Sequence, residues 1–153
     1  MVSNLSRVFQ INKYLQDIKY PDSYRISKEI DIYLKSNLSI TKEEILKRIS
    51  NDEPWEYIKG ECEFCNNIFK VNRYTLIPRI ETEQIVYDCK KILEENEICN
   101  IIDIGTGSGS ILISLIHLIK DITPYSFTGT DISKKALDVA KKNEESKIGR
   151  AHV

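Results

Sequence analysis

Residues 101–109 read Ile-Ile-Asp-Ile-Gly-Thr-Gly-Ser-Gly, an apolar run that passes directly into three alternating glycines. The run predicts a β-strand, and the glycines allow a sharp turn and close approach by a ligand. An apolar helix predicted over 110–120 presents backbone N–H groups toward that ligand. A second strand over 126–130 ends at Asp131, and a helix over 133–144 follows. This order is typical of one half of a nucleotide-binding α/β unit.

The residues around the glycine loop narrow the choice of ligand. The dinucleotide pattern is GxGxxG, whereas here the third glycine comes one position early and residue 110 is Ser. In such folds an acid at the tip of the second strand, here Asp131, accepts hydrogen bonds from ribose hydroxyls. Asp103, at the end of the first strand, suits a sulfonium or amino group better than a phosphate. These residues therefore favour an S-adenosylmethionine site over an NAD site. The alternative is that no ligand binds here, and that the glycines only form a tight turn beside an unrelated surface acid. The predicted cofactor-binding residues are Asp103, Gly105, Thr106, Gly107, Ser108, Gly109, Asp131 and Ile132.

In the first 60 residues, apolar side chains recur at helical spacing and predict four short helices. The first two cover residues 5–19 and 23–36. A capping box of Thr41 and Glu44 starts the third, and Pro54 opens the fourth. We expect these helices to form a small helical bundle. The predicted apolar face of the first helix holds Leu5, Val8, Phe9, Leu15 and Ile18.

After residue 60 the pattern changes from helical periodicity to alternation. The segments that flank Asn66-Asn67 predict a β-hairpin, and a loop over 72–79 leads to an amphipathic helix over 82–95. The apolar residues of that helix are Ile85, Val86, Cys89, Ile92 and Leu93. We therefore expect a helical domain over 1–60, a hairpin and linker over 61–80, and an α/β domain over 81–147.

Composition and charge exclude several classes of protein. The chain has 153 residues, with 22 Lys and Arg against 23 Asp and Glu, a formal net charge of −1. Binding to nucleic acid through bulk positive charge is therefore not expected. The longest apolar stretch, residues 111–119, is interrupted by Ser114 and His117 and is too short to span a bilayer. The N-terminus lacks a signal-peptide pattern, so we expect a cytoplasmic location.

The four cysteines do not form a recognisable site. Cys62 and Cys65 make a CxxC pair in a strand-like stretch, whereas Cys89 and Cys99 make no second pair. A zinc site needs four ligands at suitable spacing, and a redox CxxC usually lies at a helix N-terminus. We expect reduced thiols and no metal.

Four motifs follow one another in a fixed order. They are Glu53-Pro54-x-x-Tyr57-Ile58-x-Gly60, then Leu76-Ile77-Pro78-Arg79-Ile80-Glu81-Thr82-Glu83, then the glycine loop, then Asp131-Ile132-Ser133. Together they resemble the HemK/PrmC-type release factor glutamine methyltransferases, from the N-terminal helices to about Asn143. That family usually has Pro where this chain has Ile80. The run after the Pro-Arg pair favours the release-factor branch over the sister enzymes that methylate a ribosomal protein.

The resemblance implies a helical domain that docks the protein substrate and a class I, Rossmann-like methyltransferase domain. The implied reaction moves a methyl group from S-adenosylmethionine to the side-chain amide nitrogen of the glutamine in a release factor's Gly-Gly-Gln motif. An amide nitrogen is a weak nucleophile, so positioning and hydrogen bonds must supply catalysis. Arg79 is a candidate to meet the substrate or to brace its loop against an acid. Trp55 and Tyr57 are expected to pack between domains, and His117 to be packed or at a rim.

Members of the family hold the glutamine amide with an Asn-Pro-Pro-Tyr segment after their fourth strand, and this sequence has no such segment. We therefore expect an N-terminal fragment that has no catalytic residue of its own and transfers no methyl group in isolation. Residues 148–153 have no counterpart in the family pattern and are expected to be a non-native tail, which removes His152 as a candidate base. The alternatives are a non-catalytic module that binds cofactor or docks to a release factor, and an adenine-N6 methyltransferase of nucleic acid.

Overall fold

The computed structural model describes residues 2–97 and 100–147, with side chains from residue 7 onward. The chain divides into two compact units, Met1–Lys59 and Gly60–Val153. The first unit is helical and the second combines helices with strands, which confirms the predicted α/β class.

The first unit consists of four helices around one apolar core. The predicted capping box is present, because Thr41 Oγ1 accepts the Glu44 N–H at 3.2 Å and Glu44 Oε2 accepts the Thr41 N–H at 2.9 Å. The helices are α1 (Val2–Asp17), α2 (Ser23–Ser36), α3 (Lys42–Ser50) and α4 (Trp55–Lys59), close to the predicted ranges. Their core is made of Ile11, Leu15, Ile26, Ile30, Ile45, Ile49, Trp55 and Ile58.

The predicted apolar face of α1 is partly wrong. Phe9 is 68% exposed, because Ile11 and Leu15 set the buried face of this helix. Successive helical residues are rotated by about 100°, so Phe9 points away from the core that Ile11 enters. Ile18 lies beyond the end of α1 and is also exposed. The side chain of Leu5 lies outside the described part of the chain.

The hairpin of the second unit turns at Cys65-Asn66, one position before the predicted Asn66-Asn67. Both turn residues have positive φ, +48° and +57°, as in the two-residue turns that suit the twist of paired strands. The Cys65 side chain is buried and its N–H donates to Glu83 Oε1 at 2.8 Å. In the predicted register Cys65 would end a strand and face away from the core side that Phe64 occupies. The strands are β1 (Glu61–Phe64) and β2 (Asn67–Lys70), paired antiparallel.

The rest of the second unit has the predicted order of helix, strand, glycine loop, helix, strand and helix. Two parallel strands form its sheet, with Asp103 opposite Gly129 and Ile104 opposite Thr130. After a 3₁₀ turn at Ile80–Thr82, the elements are α5 (Glu83–Glu95), β3 (Asn100–Ile104), α6 (Ser110–Leu118), β4 (Ser126–Thr130) and α7 (Lys134–Lys147). The buried core contains Phe64, Cys65, Phe69, Val86, Leu93, Ile113 and Leu115.

Helix α5 buries a narrower stripe than its apolar residues predict. Val86 and Leu93 are buried, and Cys89 is half-buried. Ile85 and Ile92, expected on the same face, are each about half exposed. They stand next to the buried pair in sequence and are therefore rotated by about 100° to the edge of the buried stripe.

Cys62, Cys65 and Cys89 form no disulfide among the described residues. Burial raises the pKa of the Cys65 thiol, and the nearby Glu83 carboxylate raises it further. Cys99 and residues 148–153, including His152, lie outside the described residues. No helix in the described ranges combines the length and the apolar character needed to cross a membrane.

Candidate functional site

The glycine loop after β3 has a backbone that suits glycine. Gly105, Gly107 and Gly109 have φ values of +81°, +57° and +78°, in the region that side chains disfavour. The N–H groups of Gly105 and Thr106 both donate to the Thr130 C=O at 2.8 Å, and the Gly109 N–H donates to the Thr106 C=O at 2.8 Å. The end of β4 therefore holds the first turn of the loop.

Two carboxylates bind the same loop through their side chains. Asp131 Oδ2 accepts the Gly107 N–H at 2.9 Å, and its Oδ1 accepts the Ser133 N–H at 2.8 Å. Asp103 Oδ2 accepts the Thr106 hydroxyl at 2.8 Å. A carboxylate has about four acceptor positions, so both acids keep acceptor capacity for a ligand.

The two sides of the loop have different surroundings. A Cβ added to Gly105 would meet no described atom within 4 Å, and one added to Gly107 would approach only the Gly105 C=O, at 4.0 Å. A Cβ on Gly109 would instead lie 3.0 Å from Ile113 Cδ1 and 3.3 Å from Ala140 Cβ. One side of the loop thus packs against α6 and α7, while the other borders open space.

Three residues that were not predicted as site residues shape this region. A Cβ on Gly129 would lie 3.1 Å from Thr106 Oγ1, so this glycine lets the loop lie against β4. Ser133 Oγ accepts the Ala136 N–H at 3.2 Å and caps α7. Asn143 is fully buried and hydrogen-bonded to the loop. Gly129 lies inside a strand and Ser133 precedes a helix, and such positions often indicate close backbone packing and a helix cap. No local sequence pattern indicates a role for Asn143.

The other predicted cofactor-binding residues fall into two groups. Thr106 and Ser108 are buried, and Ser108 Oγ has no hydrogen-bond partner among the described residues. Ile132 is fully exposed after β4. Arg79 is exposed, and its guanidinium makes no hydrogen bond or ion pair within the described chain. Of its two predicted roles, a brace against an acid is therefore not seen.

Trp55, which was expected to pack between domains, lies in the core of the first unit. It is 0% exposed, its ring meets the Tyr33 ring edge-on at 5.4 Å, and its Nε1–H donates to Glu29 Oε2 at 2.9 Å. Tyr57 is half-buried. His117 is exposed, with Nδ1 3.2 Å from Asn67 Oδ1, and fits the predicted rim position.

A family model described as a methyltransferase domain matches residues 95–152. The release factor glutamine methyltransferase of Fusobacterium nucleatum is 36% identical over 139 residues, which cover 91% of this chain and 36% of the relative. That of Bacteroides thetaiotaomicron is 35% identical over 153 residues, covering 88% of this chain and 53% of the relative. That of Lactococcus lactis is 45% identical over 104 residues, covering 67% and 36%.

Over most of its length the chain is similar to release factor glutamine methyltransferases. The resemblance inferred from the motifs is thereby confirmed, and so is the Rossmann-like methyltransferase fold of the second unit. The chain spans about a third to a half of the length of these release factor glutamine methyltransferases. A methyltransferase domain also implies a methyl donor of the S-adenosylmethionine type in general.

Proposed function

We propose that this protein moves a methyl group from S-adenosylmethionine to the side-chain amide nitrogen of the glutamine in the Gly-Gly-Gln motif of a peptide chain release factor, in the cytoplasm. The names and similarity of its relatives support the reaction and the substrate. The hydrogen bonds of the glycine loop support the choice of cofactor.

One observation favours adenosylmethionine over a dinucleotide. The N–H groups of Gly105, Thr106, Gly107 and Gly109 each have an acceptor inside the protein. A dinucleotide site instead directs loop and helix N–H groups at the pyrophosphate. The Asp131 carboxylate accepts the Gly107 N–H, so this N–H is not available to a phosphate oxygen. A ligand with a ribose and a positive charge therefore suits this loop better than one with a pyrophosphate.

The residues present fit S-adenosylmethionine. The open space beside Gly105 and Gly107 admits close approach of the ligand to the backbone. Asp131 has acceptor capacity for ribose hydroxyls, and Asp103 supplies a negative charge for the amino group or the sulfonium. When bound, S-adenosylmethionine supplies an electrophilic methyl group. The chain's own residues bind and orient it, and Arg79 is the proposed contact to the protein substrate.

Binding of the cofactor is tested by calorimetric titration of the chain with S-adenosylmethionine and with NAD. We expect binding of the first and a much weaker response to the second. Asp131→Ala should lower the affinity by about 1–3 kcal/mol, because a charged acceptor is lost. The matched control is Asp121→Ala, whose carboxylate accepts the Thr123 N–H at 2.9 Å in the loop before β4. Equal affinity for NAD, or an unaltered titration for Asp131→Ala, contradicts the cofactor assignment.

Transfer to a release factor is tested in a chimera. Residues 1–147 replace the corresponding segment of the Fusobacterium nucleatum relative, whose match covers 91% of this chain. Tritiated S-adenosylmethionine is supplied with a purified release factor in one reaction and with purified ribosomal proteins in a parallel one. Label should appear on the release factor and vanish when its Gly-Gly-Gln glutamine is changed to alanine. Label on a ribosomal protein instead would support the sister activity and overturn the proposed substrate.

A further inference from the structure

Asn143 is a fully buried amide in the middle of a polar stretch of α7. Its Oδ1 accepts the Lys70 N–H at 2.7 Å, and its Nδ2 donates to the Lys70 C=O at 3.0 Å. This pair of bonds is the one that a neighbouring strand would make with the edge of β2. An unpaired amide at such a buried position would be costly, so the match between the side chain and the β2 edge explains why Asn is tolerated here.

The same side chain also reaches the glycine loop. Nδ2 donates its second hydrogen to the Ser108 C=O at 2.9 Å. Both hydrogens of the Asn143 amide are therefore used, one on the hairpin and one on the loop. The orientation of the amide is fixed by this network, because only its oxygen can accept the Lys70 N–H.

Ser108 stands between two glycines of positive φ, Gly107 and Gly109. The Gly107 N–H is held by Asp131, and the Ser108 carbonyl is held by Asn143. The glycine-rich centre of the loop is thus held from two sides by side chains that follow β4. Holding a glycine-rich segment in its bound shape before the ligand arrives removes an ordering cost from binding.

We propose that Asn143 is a positioning residue for cofactor binding, which ties the glycine loop to the edge of the hairpin through one side-chain amide. The inference rests on the proposed function, because it concerns the same loop. It adds a coupling between β2 and the cofactor site that acts through Ser108 and needs no contact between Asn143 and the ligand.

The test compares Asn143→Asp with Lys147→Ala. The Asp variant keeps the size and the acceptor for the Lys70 N–H but replaces both donor hydrogens with an oxygen that faces two carbonyls. Lys147 also joins α7 to the hairpin, with Nζ 5.0 Å from the centre of the Phe69 ring, whereas the hydrogen bond from α7 to the Ser108 C=O comes from Asn143. Its loss therefore reports on α7–hairpin packing alone.

Hydrogen exchange of the ligand-free chain is the first readout. In Asn143→Asp the Gly107 and Gly109 amides should exchange at least tenfold faster, with the α6 amides little changed; in Lys147→Ala the glycine amides should exchange as in the wild type. In calorimetry with S-adenosylmethionine, Asn143→Asp should raise Kd about tenfold and Lys147→Ala less than twofold. A folded Asn143→Asp with unchanged glycine exchange, or equal effects of both variants, overturns the proposal.

Two further outcomes remain decisive. If Asn143→Asp does not fold, hydrogen exchange of the wild-type chain in low urea is measured instead of the variant. The free energies of opening of the Lys70 and Gly109 amides should then be the same. Opening at different free energies overturns the coupling. If the wild type does not bind S-adenosylmethionine, the proposed function fails, whereas the exchange of the glycine amides still decides whether Asn143 holds the loop.

Discussion

Gly105 and Gly109 have nearly the same φ, +81° and +78°, in different surroundings. Alanine at either position has an unfavourable φ, which costs about 1–3 kcal/mol. At Gly109 the added methyl also presses on Ile113 and Ala140, and overpacking of this kind costs a further ~1–3 kcal/mol. Gly109→Ala should therefore lower the free energy of unfolding more than Gly105→Ala, as measured by urea titration of both variants.

Gly105→Ala serves as the control for backbone strain and carries its own expectation. Its methyl enters the open space where we place S-adenosylmethionine, so Kd should rise at least tenfold. Equal losses of stability in the two variants would show that contact with Ala140 is unimportant.

The sequence predicts the glycines and the strand-end acids of the site, because their spacing expresses local backbone requirements. It does not predict that Asp131 binds Gly107, since an acid at a strand end suggests a ligand before it suggests a loop amide. The role of Asn143 cannot be predicted from the sequence, for a different reason. Its partners are backbone atoms 73 and 35 positions away, and a single asparagine in a polar helix reads as a surface residue.

At the scale of single elements, the capping box of α3 offers a direct measurement. Thr41→Ala removes the acceptor for the Glu44 N–H and should lower the free energy of unfolding by roughly 1 kcal/mol. The matched control is Glu43→Ala, which changes the same turn without touching the capping box and should cost less than about 0.5 kcal/mol. Urea titration of both variants makes the comparison, and equal losses would argue against a special role for the capping box.

The contact between α1 and α2 gives a pH dependence. Burial alone raises the pKa of the Asp31 carboxyl, but hydrogen bonds and ion pairs from Lys35 and Arg7 outweigh burial and lower it. The folded pKa is thus below the unfolded value of about 3.9. The resulting stabilisation is complete at neutral pH and is lost as pH falls through the unfolded value toward the folded one.

Asp31→Asn should therefore destabilise the protein by about 1–3 kcal/mol at pH 7, and the difference from wild type should shrink below about pH 4. Urea titrations at a series of pH values give the two curves. Asp17→Asn, at the exposed end of α1, is the control and should follow the wild-type pH profile. A difference between Asp31→Asn and wild type that is constant with pH would contradict the ion-pair account.

The sequence predicts where each helix begins and ends better than it predicts which face of the helix is buried. Residues that start or end a helix, such as Thr41, Pro54 and Gly60, act on the neighbouring backbone. Their effect can therefore be predicted from the local sequence. Which of several apolar residues is buried depends on the partner element. Phe9 is therefore predicted to be buried but is exposed, and Ile85 is predicted to be buried but is half exposed.

At the scale of the whole molecule, the two units should respond separately to a core mutation. Ile30→Ala in the first unit and Leu115→Ala in the second remove side chains that are 0% and 1% exposed, and each should cost about 2–5 kcal/mol. Hydrogen exchange followed by mass spectrometry should show lost protection in residues 2–59 for the first variant and in 60–147 for the second. Loss of protection in both ranges from either single change would mean one cooperative unit.

Periodicity predicts the change from helices to an α/β unit near Gly60, because 3.6-residue and two-residue repeats differ along the chain itself. Periodicity does not predict the parallel register of β3 and β4. It also does not predict that Asn143 of α7 joins the hairpin to the glycine loop. Both features depend on contacts between residues far apart in sequence, for which the chain carries no local signal.

The bond between Lys70 and Asn143 has a consequence for synthesis on the ribosome. The hairpin strands emerge early, but the backbone groups of Lys70 that point away from β1 find their partner only 73 residues later. Throughout that interval a nascent chain displays an unsatisfied strand edge, the kind of surface that attracts other strands or a chaperone. Closing so long a loop adds little free energy relative to a shorter one, so translation speed, rather than chain entropy, governs how long the β2 edge stays open.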